Sequence, residues 1–164
     1  MPKLPATFLQ PGDKAPDFEL PDNHGGSFRL GAHKGRPVVL EFYCEDGTEG
    51  CEIENREFSV LKPEFDRLGV DLVGISPQDL ESHGKFAAKN GLLQPLLADT
   101  ELVANKAYGV WQLKKLWGRE YMGTIRMTYL IDASGKVAAA IKASRIKGHA
   151  ATVLEAAKAL VRKA

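Results

Sequence analysis

A chain of 164 residues, 44% hydrophobic and 26% charged, has the length and balance of one ordinary globular domain with a buried core. Its net charge of +1 excludes the strong basic field that recruits nucleic acid or anionic lipid, and Lys114-Lys115 and the tail at 161–163 read as solvated faces. No apolar run approaches the ~20 residues of a membrane helix, and Met1-Pro2-Lys3-Leu4-Pro5 lacks the apolar core of a secretory leader, so a single domain over 1–164 in the cytoplasm is expected. After this Pro-containing lead, Pro11-Gly12-Asp13 opens a turn. Residues 17–20 alternate as a short strand, Asn23-His24-Gly25-Gly26 signals a turn, and 27–30 alternate again, which together predict a hairpin.

Gly35-Arg36-Pro37 punctuates the chain, and the mostly apolar run 38–43 suits a buried central strand. A polar loop, 44–50, leads into a helical stretch in which Ile53, Phe58, Leu61, Phe65 and Leu68 recur at three- and four-residue steps, with Gly69 closing it. Pro63 inside that span predicts a kink or a break near residue 62. Residues 70–75 form a second apolar strand. Ser76 reads as a helix N-cap, with Pro77 in the first helical position and Leu80, Phe86 and Ala87 on the inner face. A short element follows at 96–99, a short helix at 102–108, a strand at 128–132, a turn at 133–136, a strand at 137–141 and an amphipathic helix at 149–161. Strand-helix-strand-helix followed by a hairpin and a helix predicts an α/β, thioredoxin-like fold: a central mixed sheet flanked by helices, with an N-terminal hairpin.

Two cysteines are too few for a disulfide scaffold, and C-x6-C is neither a C-x-x-C redox pair nor half of a zinc site. His24, His33, His83 and His149 show no ligand spacing, so they read as surface or capping residues and no metal is expected. The chemistry therefore falls on Cys51. It sits where a buried strand's carboxyl end passes into a helix, among unpaired backbone N–H groups and at the positive end of the helix dipole. Both lower a thiol's pKa and favour the reactive thiolate. Gly50 lets a small substrate approach the backbone. The Thr48 hydroxyl and the N–H groups of Gly50 and Cys51 are placed to stabilise charge on two bonded oxygens. Glu45, Asp46, Glu49, Glu52 and Glu54 oppose ionisation, so a cation must offset them; Arg126, ahead of the 128–132 strand, is the choice over Arg56. From spacing alone, Cys51 is equally compatible with an inert buried thiol, Thr48 with a loop residue and Arg126 with a surface ion pair.

In their order and spacing these segments resemble the peroxiredoxin family, in particular its bacterioferritin comigratory protein (peroxiredoxin Q) branch, over nearly the whole chain. The matching stretches begin with Gly12-Asp13-Lys14-Ala15-Pro16-Asp17-Phe18 and the loop from Phe42-Tyr43 through Thr48-Glu49-Gly50-Cys51, whose family pattern is P-x-x-x-T-x-x-C. They continue with Glu54, Val73-Gly74-Ile75-Ser76-Pro77, Glu81-Ser82-His83, Lys106-Ala107-Tyr108-Gly109-Val110-Trp111, and Gly123-Thr124-Ile125-Arg126 before the 128–132 strand. The resemblance implies a thiol peroxidase acting on hydrogen peroxide and organic hydroperoxides. Cys51 would be the peroxidatic cysteine, Thr48 and Arg126 would complete the site, and Gly50 and Glu54 would lie among the substrate-binding residues. It implies no cofactor, and as partners a hydroperoxide and a thiol reductant (thioredoxin, glutaredoxin or glutathione), in a monomer or homodimer.

Two departures stand out. Cys44 occupies the loop-proline position, and Arg56 stands where many members carry a resolving cysteine. Recycling then runs through an external thiol acting on Cys51 alone, the cycle favoured by the absent downstream cysteine, or through Cys44 as the resolving partner. The rivals from other classes are a non-enzymatic thioredoxin-fold holdase or interaction module, recognised by an unperturbed Cys51 pKa, and a thiol-disulfide oxidoreductase using the Cys44/Cys51 pair, recognised by disulfide reduction faster than peroxide reduction.

Overall fold

The computed structural model describes residues 8–163, so the 1–5 stretch considered above as a leader lies outside the described residues. The chain opens with the expected hairpin, Glu19–Pro21 (β1) against Ser27–Arg29 (β2). Val38–Phe42 (β3) follows, then Glu49–Arg67 (α1), Asp71–Ser76 (β4), Leu80–Asn90 (α2), Leu96–Ala98 (β5) and Val103–Ala107 (α3). The second half holds Trp111–Leu116 (β6), Arg119–Thr124 (β7), Met127–Ile131 (β8), Val137–Lys142 (β9) and His149–Lys163 (α4).

The apolar run of β3 is buried at all five positions because it lies at the centre of a five-stranded sheet ordered β5-β4-β3-β8-β9. β4 and β5 run parallel to it and β8 antiparallel, while β9 pairs antiparallel with β8 and so returns to the direction of β3, which makes the sheet mixed, as expected. Side-chain alternation divides the core. Leu40, Phe42, Ile75, Tyr129 and Ile131 face Phe18, Phe28, Ala104 and Tyr108 on one side. On the other side Val39, Leu72 and Leu130 pack under Phe58 and Phe65 of α1 and Val153, Leu154 and Ala157 of α4. Cys51 belongs to a smaller cluster at the strand ends with Tyr43, Phe86, Leu92 and Leu96.

Three expectations change. α1 is one 19-residue helix through Pro63, with no break at 62. Phe58 before the proline and Phe65 after it are both fully buried in one cluster, and that packing outweighs the lost hydrogen bond. The N-cap of α2 is Asp79, whose side chain accepts the Ser82 N–H at 2.9 Å; Ser76 ends β4 and donates its hydroxyl to Gln78 Oε1 at 2.6 Å. His83 and His149 are not surface residues. His83 is fully buried between Asp46 (Nδ1–Oδ2 2.7 Å) and the Leu97 carbonyl (2.9 Å), and His149 pairs with Thr128 Oγ1 at 2.8 Å. Satisfied hydrogen bonds let both rings enter the core. The β6–β7 hairpin was not anticipated: its two-residue turn, Trp117-Gly118, has positive φ at both positions but lacks the usual Asn-Gly or Asp-Gly signal.

Candidate active site

Cys51 is the third residue of α1, in the first turn of the helix that leaves the carboxyl end of β3. Glu52 N–H is the first to bond back, to Thr48 O at 2.9 Å, so the N–H groups of Glu49, Gly50 and Cys51 precede the intrahelical ladder and face outward along the axis. Thr48 is the N-cap residue, but its hydroxyl donates to Glu45 O at 3.2 Å instead of capping the helix. The loop ahead of it is tied down by Asp46. That carboxylate accepts from Tyr43 Oη, Ser82 Oγ and His83 Nδ1, each at 2.7 Å. Burial pushes its pKa up, but these donors prevail and hold it below the usual 3.8.

The sulfur of Cys51 is fully buried and receives Arg126 Nη2 at 3.6 Å. Its pKa falls from 9.0 to about 5. The largest cause is a hydrogen bond from the Cys44 thiol; burial works in the opposite direction, while the Thr48 hydroxyl, a backbone hydrogen bond from Glu45 and the Arg126 charge reinforce the shift. The same contact pushes the half-buried Cys44 thiol upward, with burial and the charge on Cys51 adding, so Cys44 keeps its proton while Cys51 is a thiolate. Thr124 O, 3.2 Å away, competes for that one hydrogen, and Lys114 Nζ stands 3.5 Å from Cys44 Sγ.

The acidic crowding expected from the sequence is dispersed. Asp46 turns to His83, and Glu52 pairs with Lys89 at 3.1 Å and Arg56 at 3.7 Å. Glu54, expected among the substrate-binding residues, lies on the inner side of Arg126, 3.7 Å from its Nε and with no exposed side-chain surface. At Gly50 a Cβ would stand 2.8 Å from Arg126 Nη2 and 2.9 Å from Ile146 Cδ1, so its bareness makes room for the arginine. Arg56 hydrogen-bonds Asn90 Oδ1 at 2.7 Å, away from the sulfur.

A cleft of about 600 Å³ opens beside these groups. Cys44, Thr48 and Arg126 form its polar end, and Trp111, Leu116 and Met122 its apolar wall. That volume suits a small organic ligand. Lys114, expected on a solvated face, is partly buried and turns to Cys44 Sγ and Thr124 O, and the apolar wall was not anticipated, because the hairpin that carries both was not. It also passed over Glu41, although a single acid in the apolar run 38–42 was a visible signal.

Comparison with known proteins gives one answer. The AhpC/TSA family model matches residues 11–140. The chain is 39% identical over 155 residues to a Bacillus subtilis protein named peroxiredoxin Bcp, covering 94% of this chain and 99% of that one. It superposes at TM-score 0.83 and 35% identity on a Xanthomonas campestris bacterioferritin comigratory protein with alkyl peroxide reduction activity, covering 88% of this chain and 92% of that one. The Mycobacterium tuberculosis peroxidoxin BcpB is similar at TM-score 0.81 and 34% identity, over 93% and 98% of the two chains.

Proposed function

The chain belongs to the AhpC/TSA family, in its peroxiredoxin Q branch with a thioredoxin-like fold, and is a thiol-dependent peroxidase; from that premise we propose that Cys51 is the thiol that attacks the hydroperoxide. The observation that carries this reading is the Arg126 guanidinium seated on a sulfur whose pKa is drawn to about 5. At neutral pH that sulfur is a thiolate. It attacks one peroxide oxygen in line, the S–O bond forms as the O–O bond breaks, and the departing alkoxide or hydroxide takes up a proton. Negative charge moves from sulfur to the leaving oxygen, and Arg126 and the free N–H groups of the first turn are fixed donors for it, joined by the Thr48 hydroxyl when it turns from Glu45 O. The product is a Cys51 sulfenic acid. The cleft wall of Trp111, Leu116 and Met122 supports organic hydroperoxides alongside hydrogen peroxide as substrates.

For recycling, the Cys44 thiol, close enough to Cys51 for each to shift the other's pKa, supports the second scheme over the one-cysteine cycle that the sequence favoured. Once Cys51 is a neutral sulfenic acid, the charge holding the Cys44 proton is gone. The Cys44 sulfur then displaces hydroxide from Cys51, giving a disulfide and water, and an external thiol reductant restores both thiols. Two free thiols fit a reducing compartment such as the cytoplasm, and among the described residues no helix is long and apolar enough to cross a membrane. A non-reducing peptide map after one equivalent of hydroperoxide tests both parts. A Cys44–Cys51 linked peptide supports Cys44 as the resolver, an adduct of added thiol on Cys51 supports the one-cysteine cycle, and an unmodified Cys51 defeats the assignment.

A further inference from the structure

Beneath the thiol lies an arrangement that peroxide attack does not by itself require. Glu41 is the one charged residue of β3 and is fully buried. Its register partners are Gly74 on β4 and Thr128 on β8. Gly74 leaves the space for its carboxyl, since a Cβ there would stand 3.2 Å from Glu41 Oε1. The carboxyl meets that of Glu54, which is 1% exposed and descends from α1 one turn beyond Cys51. None of the four carboxyl oxygens has a donor among the described residues. The nearby cation is Arg126, with Nε 3.7 Å from Glu54 Oε1; His149 on α4 is turned to Thr128.

Two buried carboxylates face to face cannot both be ionised, and with no other donor present the hydrogen that joins them is a shared proton. We propose that Glu41 is a positioning residue for the peroxide reaction: its carboxyl keeps that proton and donates it to Glu54, leaving Glu54 as the single carboxylate that holds Arg126 with its terminal nitrogen on the Cys51 sulfur. The proposal rests on Cys51 being the reacting thiol. The charges then alternate, thiolate, guanidinium, carboxylate, with a neutral acid behind. Burial first, then the charge on Glu54, pushes Glu41 well above the usual carboxylate range. Burial also raises Glu54, to about 7, while the hydrogen bond from Glu41 holds it down. Without that donor Glu54 would take up the proton itself and Arg126 would lose its anchor. A second ionised carboxylate would instead oppose both the thiolate and the charge building on the departing oxygen.

The test follows oxidation of Cys51 by one equivalent of hydrogen peroxide in the full chain, quenched by alkylation and read by mass spectrometry. Glu41→Leu keeps the bulk and removes the donor, and it is expected to slow Cys51 oxidation at least about tenfold. Its melting temperature should stay level or rise, because an apolar group replaces a buried acid. Glu41→Gln presents an amide donor to Glu54 and is expected to restore most of the rate. Glu41→Leu reacting at wild-type speed, or Glu41→Gln as slow as Glu41→Leu, overturns the proposal. Should Glu41→Leu not fold, the wild-type-minus-Glu41→Gln infrared difference at pH 7 decides: the carbonyl stretch of a protonated carboxyl supports the shared proton and its absence overturns it. If wild-type Cys51 itself resists the oxidant, the assignment of the reacting thiol fails too; if it reacts and Glu41→Leu keeps pace, only the role of Glu41 falls.

Discussion

The Cys51 sulfur is governed by a neighbour that the family pattern would make a proline. Because the Cys44 thiol is the largest influence lowering the Cys51 pKa, Cys44→Ala should raise that pKa toward 9.0, while Cys44→Ser, which keeps a donor, should leave it low. The pH dependence of Cys51 alkylation separates the two variants. The sign of the wild-type profile is fixed by a lowered acid: above about 5 the sulfur is ionised and the alkylation rate is flat, and below it the rate falls tenfold for each pH unit. Gly50→Ala sets two effects against each other. Alanine favours the helix by about 0.5–1 kcal/mol, while its Cβ must displace Arg126 Nη2 and Ile146 from 2.8 and 2.9 Å. Stability should change little, because both neighbours are flexible side chains, but losing a fixed donor should slow peroxide reduction by about 10²-fold. Equal rates for Gly50→Ala and wild type would show that Arg126 does not act from its observed position. Cys51, Thr48 and Arg126 were legible in the sequence because strand-to-helix position and charge balance point to them. Glu41 stood out only as a lone acid in an apolar run, and Lys114 not at all, since their roles depend on Glu54 of α1 and on Cys44 of the loop, each brought close by the fold.

At the scale of elements, the loop from β3 to α1 is held from outside by α2. Asp46 gathers Tyr43, Ser82 and His83, and removing it strands a buried hydroxyl and a buried ring nitrogen. At about 1–3 kcal/mol for each unsatisfied group, Asp46→Ala should cost about 3 kcal/mol in urea unfolding; a loss below about 1 kcal/mol would mean that the loop is held by other contacts. Pro63 sits on the exposed side of a continuous α1. Restoring the missing N–H by Pro63→Ala should therefore raise stability by roughly 1–3 kcal/mol in the same experiment. The sequence showed where α1 lay through its apolar spacing. It misjudged continuity at Pro63 because local propensity does not report Phe58 and Phe65 sharing one cluster. It missed β6 and β7 because their edge positions alternate weakly and their turn residues are unusual.

For the whole molecule, the mixed sheet, its helical layers and the N-terminal hairpin follow from the order of apolar runs. The ledger of buried polar groups does not, because it is written by long-range pairs such as Thr128–His149 and Asp46–His83. These pairs set the acid behaviour. Burial lowers the pKa of His149 from 6.5 to about 4, so the unfolded chain binds that proton first and stability falls as pH drops from 6.5 toward 4. Asp46 and Asp71, both held below 3.8, extend the loss to lower pH. The raised carboxyls of Glu41 and Glu54 work the other way, adding stability as pH falls, so the contribution of His149 is read by difference: His149→Gln should lose less stability than the wild type between pH 6.5 and 4 in urea unfolding. The measurement that bears most directly on Cys51 uses the Cys44→Ser chain, in which no second thiol can consume a sulfenic acid. One equivalent of hydroperoxide is given across pH 4 to 8, and the product is trapped with dimedone. One adduct on Cys51, with a rate half-maximal near pH 5, is the expected result. A Cys51 that stays unmodified at pH 7, or reacts only as the pH nears 9, would contradict it.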